Sequence, residues 1–270
     1  MDAKDKVFKS EEAQSELKGI VNLTLERESN HKEYDRESRL SKDRERLWAK
    51  PTRFVLFLDI MGFKSIVSDN EHASVQSLLK TFHASRHTRD KSFAEDHMRI
   101  SIFSDSIIIA TIDDTPRSLD RLCNEASALM RIGAENGLPM AGGIALGECT
   151  FEPGTDIYFG NALTNAYLIE ENVFFYGVVL EESEAMASKV NELLANPIYS
   201  AIISHTEVPL KKDGPVERYH LPWNYIFDDN RNLQKHPQVD AWIDGIETKA
   251  KARGHYYVRN TRQYICNQTI

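Results

Sequence analysis

Cysteine is scarce: the chain of 270 residues has 3, Cys123, Cys149 and Cys266, and no C-x-x-C pair. A disulfide framework is thereby excluded, zinc and dithiol signatures are missing, and the thiols read as reduced and mostly buried. Aromatic residues make up only 9%. No run of about 18 apolar residues exists that could cross a bilayer. The opening residues, MDAKDKVFKSEE, lack the apolar stretch of a signal peptide, so the expectation is a cytoplasmic protein without a membrane partner. Nor is there any basic excess: 33 Lys and Arg stand against 41 Asp and Glu, a net charge of −8. A surface for nucleic acid needs such an excess, so none is expected.

The chain is 41% hydrophobic and long enough for one substantial core. Its first fifty residues hold 12 Lys or Arg and 12 Asp or Glu, so the net charge belongs to the remainder. This segment predicts a charged helical arm, with opposite charges able to pair at i,i+4 but too little apolar surface for a core of its own. The expected organisation is an arm over 1–50, a catalytic domain over 51–210, and an extension of the same domain over 211–270.

The domain begins at FVLFLD, Phe54 to Asp59, a short apolar run ending in an acid, which predicts a buried strand reaching a surface. Val75, Leu78, Leu79 and Phe82 predict a helix over roughly Ala73 to Arg89. MRISIFSDSIIIATI, Met98 to Ile112, reads as a hairpin with Asp105 at its turn. A long helix from Pro116 to about Asn136-Gly137 and a strand over MAGGIALGE come next. Strand, helix, hairpin, helix, strand is the plan of an α+β, ferredoxin-like βαββαβ fold: an antiparallel-rich sheet with helices on one face. Further on, helices are expected over Asn161 to Glu171, Ser183 to Ala195 and Gln238 to Arg253. Strands are expected over Phe174 to Leu180 and Ile198 to Ile203, and HYYVRNTRQYI near the end reads as a last strand or an extension.

Asp59-Ile60-Met61-Gly62-Phe63 and Asp105 carry the chemistry. Mg²⁺ takes hard oxygen ligands and keeps most of its waters, so one or two carboxylates plus substrate phosphates make a normal site. In a two-metal arrangement one ion activates the attacking oxygen and the other neutralises the leaving group. If the Asp59 strand lies beside the hairpin, both acids emerge at the same end. Found alone, Asp59 would be a helix cap and Asp105 an ordinary turn residue. His83 and His87 share a helix face at i,i+4 spacing, but no third ligand accompanies them. Gly142-Gly143 and Gly147 match no phosphate-loop pattern and read as strand glycines that let a neighbour or ligand approach.

F-L-D-I-M-G-F, F-S-D-S, G-G-I-A-L-G-E and F-G-N-A-L-T-N-A-Y-L-I-E resemble, in order, successive blocks of class III adenylate and guanylate cyclase domains over Phe54 to Glu170. The resemblance implies that Asp59 and Asp105 bind two Mg²⁺ or Mn²⁺ ions, with the Ile60 carbonyl as a further ligand. It implies a head-to-tail homodimer with interfacial active sites, and attack of a ribose 3′-oxygen on the α-phosphorus with release of pyrophosphate. Phe63, Ser101, Ile157, Thr164 and Asn165 fall at substrate-binding positions. Ser101 stands where purine-using relatives carry Lys, and Ile157, beside Asp156, where adenylate cyclases carry Asp. Thr164 replaces the ribose-orienting Asn, with Asn165 adjacent. Leu168 replaces the transition-state Arg, whose loss can cost about 10³-fold or more in rate, so the cation is expected from elsewhere, such as Lys64 or Arg99.

Lost purine selectors and the A-Y-x-x-E ending are similar to the pyrimidine cyclases of bacterial Pycsar anti-phage defence. That similarity implies UTP, ahead of CTP, as substrate, and a cyclic-nucleotide-sensing effector as functional partner. The alternatives are an adenylate or guanylate cyclase of ordinary signalling and an inactive nucleotide-binding module. A diguanylate cyclase or polymerase-palm relative needs a GG[DE]EF-type signature at the hairpin, where this chain reads Ile102-Phe103-Ser104-Asp105-Ser106.

Overall fold

A computed structural model describes residues 48–70, 72–84, 97–151, 157–228 and 232–268. The charged arm, His87 and Asp156 lie outside these residues, as does the side chain of His83. By its contacts the chain divides into two units, Met1–Ala49 and Lys50–Ile270, and the second carries the sheet and its helices.

Strand β1 (Thr52–Ile60) forms because its residues are apolar on both faces. Phe54, Leu56, Leu58 and Ile60 enter the main core, and full burial of each such side chain contributes about 1.5–3 kcal/mol. Val55, Phe57 and Asp59 alternate onto the opposite face. Helices α1 (Phe63–Asp69) and α2 (His72–Ala84) come next, then the hairpin β2 (Met98–Phe103) and β3 (Ser106–Thr111). Helix α3 (Pro116–Glu135) opens with Pro116 behind the cap of Thr115, whose side chain accepts from Ser118 N–H, and buries Leu119, Leu122, Ala126, Leu129 and Met130. It stops at Asn136 and Gly137, the latter at φ 70°.

Strand β4 (Met140–Glu148) pairs antiparallel with β1 on the side opposite β3, giving the order β2-β3-β1-β4 of the βαββαβ plan. Two short strands, β5 (Thr150–Phe151) and β6 (Tyr158–Phe159), lead to helix α4 (Asn161–Asn172). This helix covers the second face of the sheet, so the helices are not confined to one side. A Cβ on Gly143 of β4 would lie 2.3 Å from the Ala166 carbonyl oxygen of α4, and Phe57 meets Tyr167 edge to face at 5.3 Å. The glycine pair of β4 thus serves packing: Gly143 against α4, Gly142 against Leu56 and Leu58.

The sheet extends through β7 (Val178–Leu180), parallel to β4, and then through the hairpin of β8 (Ser204–Leu210) and β9 (Gly214–Leu221), to seven strands in the order β2-β3-β1-β4-β7-β9-β8. Helix α5 (Glu184–Leu194), capped by Ser183, lies between β7 and β8 in the chain. A small hairpin, β10 (Tyr225–Phe227) with β11 (Leu233–Lys235), and helices α6 (Val239–Lys249) and α7 (Ala252–Asn267) complete the fold.

Further expectations differ from this outcome. The helix expected over Gln238 to Arg253 ends at Lys249, before the extended Ala250 and Lys251. Residues 198–203 form no strand, and the Asp120 carboxylate takes the amides of Ser200 and Ala201 at 2.8 and 2.7 Å, which removes both from any ladder. The strand expected from Phe174 is only Val178–Leu180, since Phe174 N–H goes to Pro209 O and Tyr176 N–H to the Thr261 hydroxyl. HYYVRNTRQYI is helical: Tyr257, Val258, Thr261, Tyr264 and Ile265 are the buried residues, at the spacing of one helix face, and this outweighs their β-prone side chains.

Candidate active site

The β2–β3 loop is two residues long, with Phe103 and Ser106 paired across it and Ser104 at φ 58°. Asp105 is therefore held in a tight turn. β3 lies beside β1 with Asp59 opposite Ser106, and Ile60 N–H donates to the Asp105 carbonyl oxygen at 2.9 Å. Local hairpin geometry and sheet register together bring the two aspartates to one end of the sheet.

The electrostatics show that they feel each other. Burial, and after it the charge of Asp105, pushes the Asp59 carboxyl up to about 6, with Lys211 pulling the other way. A third carboxyl joins them: Glu170, buried on α4, is pushed up to about 7, first by burial and next by Asp59. Lys211 opens the β8–β9 turn. Its N–H donates to Asn172 O at 2.7 Å and its Nζ to the Glu171 carbonyl oxygen, fixing the turn against the end of α4. Asp59, Glu170 and Lys211 line a cleft of about 890 Å³, walled also by Met61 and Pro139 and, from the far side, by Tyr257 of α7.

Among the described residues no three His, Cys, Asp or Glu side chains converge as a ready metal cage. The donor set nonetheless suits a hard divalent ion: two neighbouring carboxylates, one of them destabilised in its charged form by the other, with room for water and phosphate oxygens. A cation there would relieve that repulsion.

The other expected residues scatter. Ile60 is adjacent by backbone, but its side chain is in the core, as is that of Phe63. Lys64 is exposed on α1. Ser101 is half-buried on β2, in the row of Ile108 and Phe57 on the α4 side of the sheet. Arg99 donates to the Phe151 carbonyl oxygen at 3.1 Å. Ile157 is exposed, and Thr164 turns its hydroxyl back to Gly160 O at 3.3 Å. Asn165 donates to Glu181 Oε1 at 2.8 Å, while the other oxygen of that carboxylate accepts Leu146 N–H, so Asn165 pins α4 to the sheet away from Asp59. Glu170 and Lys211 are not apparent from the sequence as site residues. The Glu of A-Y-x-x-E is the one available signal; Lys211 has none, because the docking of the β8–β9 turn against the end of α4 carries it to Asp59.

No protein-family model matches the chain, and no curated protein does. Among solved structures it is similar to the guanylate cyclase domain of RhGC from Catenaria anguillulae in complex with GTP, with 14% identity and a TM-score of 0.45, over 63% of this chain and 96% of that one. It is similar also to the guanylyl cyclase domain of the RhoGC fusion protein from Blastocladiella emersonii (13%, 0.46, 64% and 97%). A bacterial light-regulated adenylyl cyclase gives 13%, 0.45, 73% and 98%.

Proposed function

We propose that the protein is a class III-type nucleotide cyclase that closes a pyrimidine nucleoside triphosphate, UTP in preference to CTP, into its 3′,5′-cyclic monophosphate. The observation that carries the reading is the pairing of Asp59 with Asp105 at the end of an antiparallel sheet, beside a cleft that Asp59 lines. Asp59 and Asp105 would hold Mg²⁺ or Mn²⁺ ions, two per site, and such ions would supply acidification of the ribose 3′-hydroxyl and neutralisation of the triphosphate. The 3′-oxygen forms a bond to the α-phosphorus as the bond to the β-phosphate oxygen breaks. Pyrophosphate leaves, and the hydroxyl proton passes to solvent.

The chain's own groups have simpler tasks. Asp59 and Asp105 are the carboxylates that would place the cations, and Lys211 supplies positive charge beside Asp59 where Leu168, half-exposed, supplies none. Neither Ser101 nor Ile157 offers the charged group with which purine cyclases read their base, which favours a pyrimidine. A head-to-tail homodimer is supported by exposed apolar side chains beside the Asp105 turn, on β6 and on α4: Phe103 (79%), Phe159 (61%) and Tyr167 (41%). The anti-phage role, through a cyclic-nucleotide-sensing effector, rests on the sequence resemblance.

Incubating the purified full chain with each of the four triphosphates and Mn²⁺ tests the reading, with cyclic UMP the expected main product. A cyclic purine would move the protein to ordinary adenylate or guanylate cyclase signalling. A folded chain that binds nucleotide and turns over none of them would make it a binding module.

A further inference from the structure

The cleft beside Asp59 is closed on its far side by elements that come after the seven-stranded sheet in the chain. The α6–α7 junction brings Lys249 and Lys251 to the cleft wall, two residues apart in a segment where the backbone is extended at Ala250 and Lys251. Lys249 lies over the turn between α3 and β4, so close that a Cβ on Gly137 would sit 3.0 Å from its Nζ. Among the described residues it makes no hydrogen bond or ion pair. Lys251 reaches α1, donating to Ser65 Oγ at 2.9 Å, with the Asp69 carboxylate at 3.9 Å, and remains largely exposed.

The cleft is thus bipolar. Asp59 and Glu170 make one part of its wall acidic, and Lys211 is the lysine whose charge reaches them. Lys249 and Lys251 make another part basic without touching that pair. A ligand that satisfies both parts carries a divalent cation at one end and a dense anionic tail at the other, which is the chemistry of a metal–polyphosphate complex. Lysine binds phosphate as a mobile point charge with three donors, and hydrogen bonds to an ionised acceptor are about twice as strong as neutral ones.

We propose that Lys249 and Lys251 of the α6–α7 junction bind the terminal phosphates of the nucleoside triphosphate, and hold them as pyrophosphate after cyclisation. The proposal rests on the cyclase reading for the identity of the substrate, though not for the anion site itself. It gives the helices after the sheet a part in the chemistry: they complete a cleft that the sheet leaves open on one side.

Titration calorimetry of inorganic pyrophosphate into the full chain with Mn²⁺, alongside KM for the preferred triphosphate, tests it. K249A/K251A is expected to weaken pyrophosphate binding about tenfold or more and to raise KM by a similar factor with a smaller change in kcat. Both lysines are solvent-facing, so the melting temperature should not move, and K249R/K251R should recover most of the affinity. Pyrophosphate affinity equal in wild type and K249A/K251A, or no binding to wild type, overturns the proposal whatever the activity. Lysine-dependent pyrophosphate binding in a chain that cyclises no triphosphate would uphold the anion site and sink the cyclase reading instead.

Discussion

The cleft around Asp59 and the network around His220 both take ionisable side chains out of water, and they do so on opposite terms. His220 is wholly buried between β8 and α7, with its Nε2 2.8 Å from the Thr206 hydroxyl and its Nδ1 2.8 Å from the Tyr264 hydroxyl. Both ring nitrogens have partners, and burial pushes the ring down to about 3, so it stays neutral and acts as a hydrogen-bonding strut. In the cleft the buried groups are carboxyls set beside one another. Each is pushed up by burial and by its neighbour, and Lys211 offsets only part of that. A fold that satisfies its buried polar groups in one place and leaves like charges facing in another is carrying a cost there that a ligand can remove.

The sharpest way to test this contrast is Asp59→Asn. If the cleft is catalytic, formation of cyclic product with Mn²⁺ should fall by about 10²–10³-fold or more, the scale of removing a group that stabilises transition-state charge. An unchanged rate would put the two aspartates back among ordinary turn residues.

His220→Ala should do the reverse, sparing any intact site but leaving Thr206 and the Tyr264 hydroxyl without their partner in a buried cavity. A loss of about 2–4 kcal/mol is expected, read as a drop of several degrees in Tm. The same network predicts an acid limb. Because the folded pKa of His220 lies below the ordinary 6.5, the unfolded chain binds the extra proton, so its contribution is complete above pH 6.5 and is lost as the pH falls toward 3.

The cleft has the opposite pH dependence in metal-free protein. Asp59 and Glu170 titrate above their ordinary 3.8 and 4.5, so the folded chain holds more protons than the unfolded one. Stability falls as the pH rises through about 6 to 7. Asp59→Asn with Glu170→Gln should therefore raise Tm at pH 8 and leave it unchanged at pH 4. After discounting for solvent screening, about 1 kcal/mol, or roughly 2–4 °C, is expected. The substitution that abolishes activity would stabilise the fold, and saturating Mn²⁺ should erase the difference.

Asn165→Ala should have the smallest effect. Its amide is spent on Glu181, so a loss of about 0.5–1 kcal/mol in stability with unchanged KM is expected. A large KM change would mean that Asn165 reaches the substrate after all.

Much of this architecture is legible in the residues. β1, the β2–β3 hairpin, α3 and β4 arise from apolar runs and periodicities bounded by Pro, Gly and a Thr cap, all of them local signals. Where local signals mislead, long-range partners have taken over the backbone: Asp120 captures the amides of Ser200 and Ala201, and Thr261 captures that of Tyr176. In the last helix a helical stripe is hidden under β-prone residues. The site divides in the same way. Asp59 and Asp105 stand out because each ends a strand whose pattern is local. Lys211, Lys249 and Lys251 are three lysines among many in the sequence, and Thr164 and Asn165 have suitable side chains that the fold spends on its own hydrogen bonds.

By itself, then, the sequence determined that Asp59 would end a buried strand and that Asp105 would stand at a hairpin turn, because apolar runs and turn residues are written in contiguous stretches; that the two strands lie side by side was left to the sheet register. Only the tertiary structure decided what surrounds them. Which carboxyl on α4 shares their field, which lysine offsets it and which helices wall the cleft depend on register and packing between segments up to 198 residues apart, from Asp59 to Tyr257.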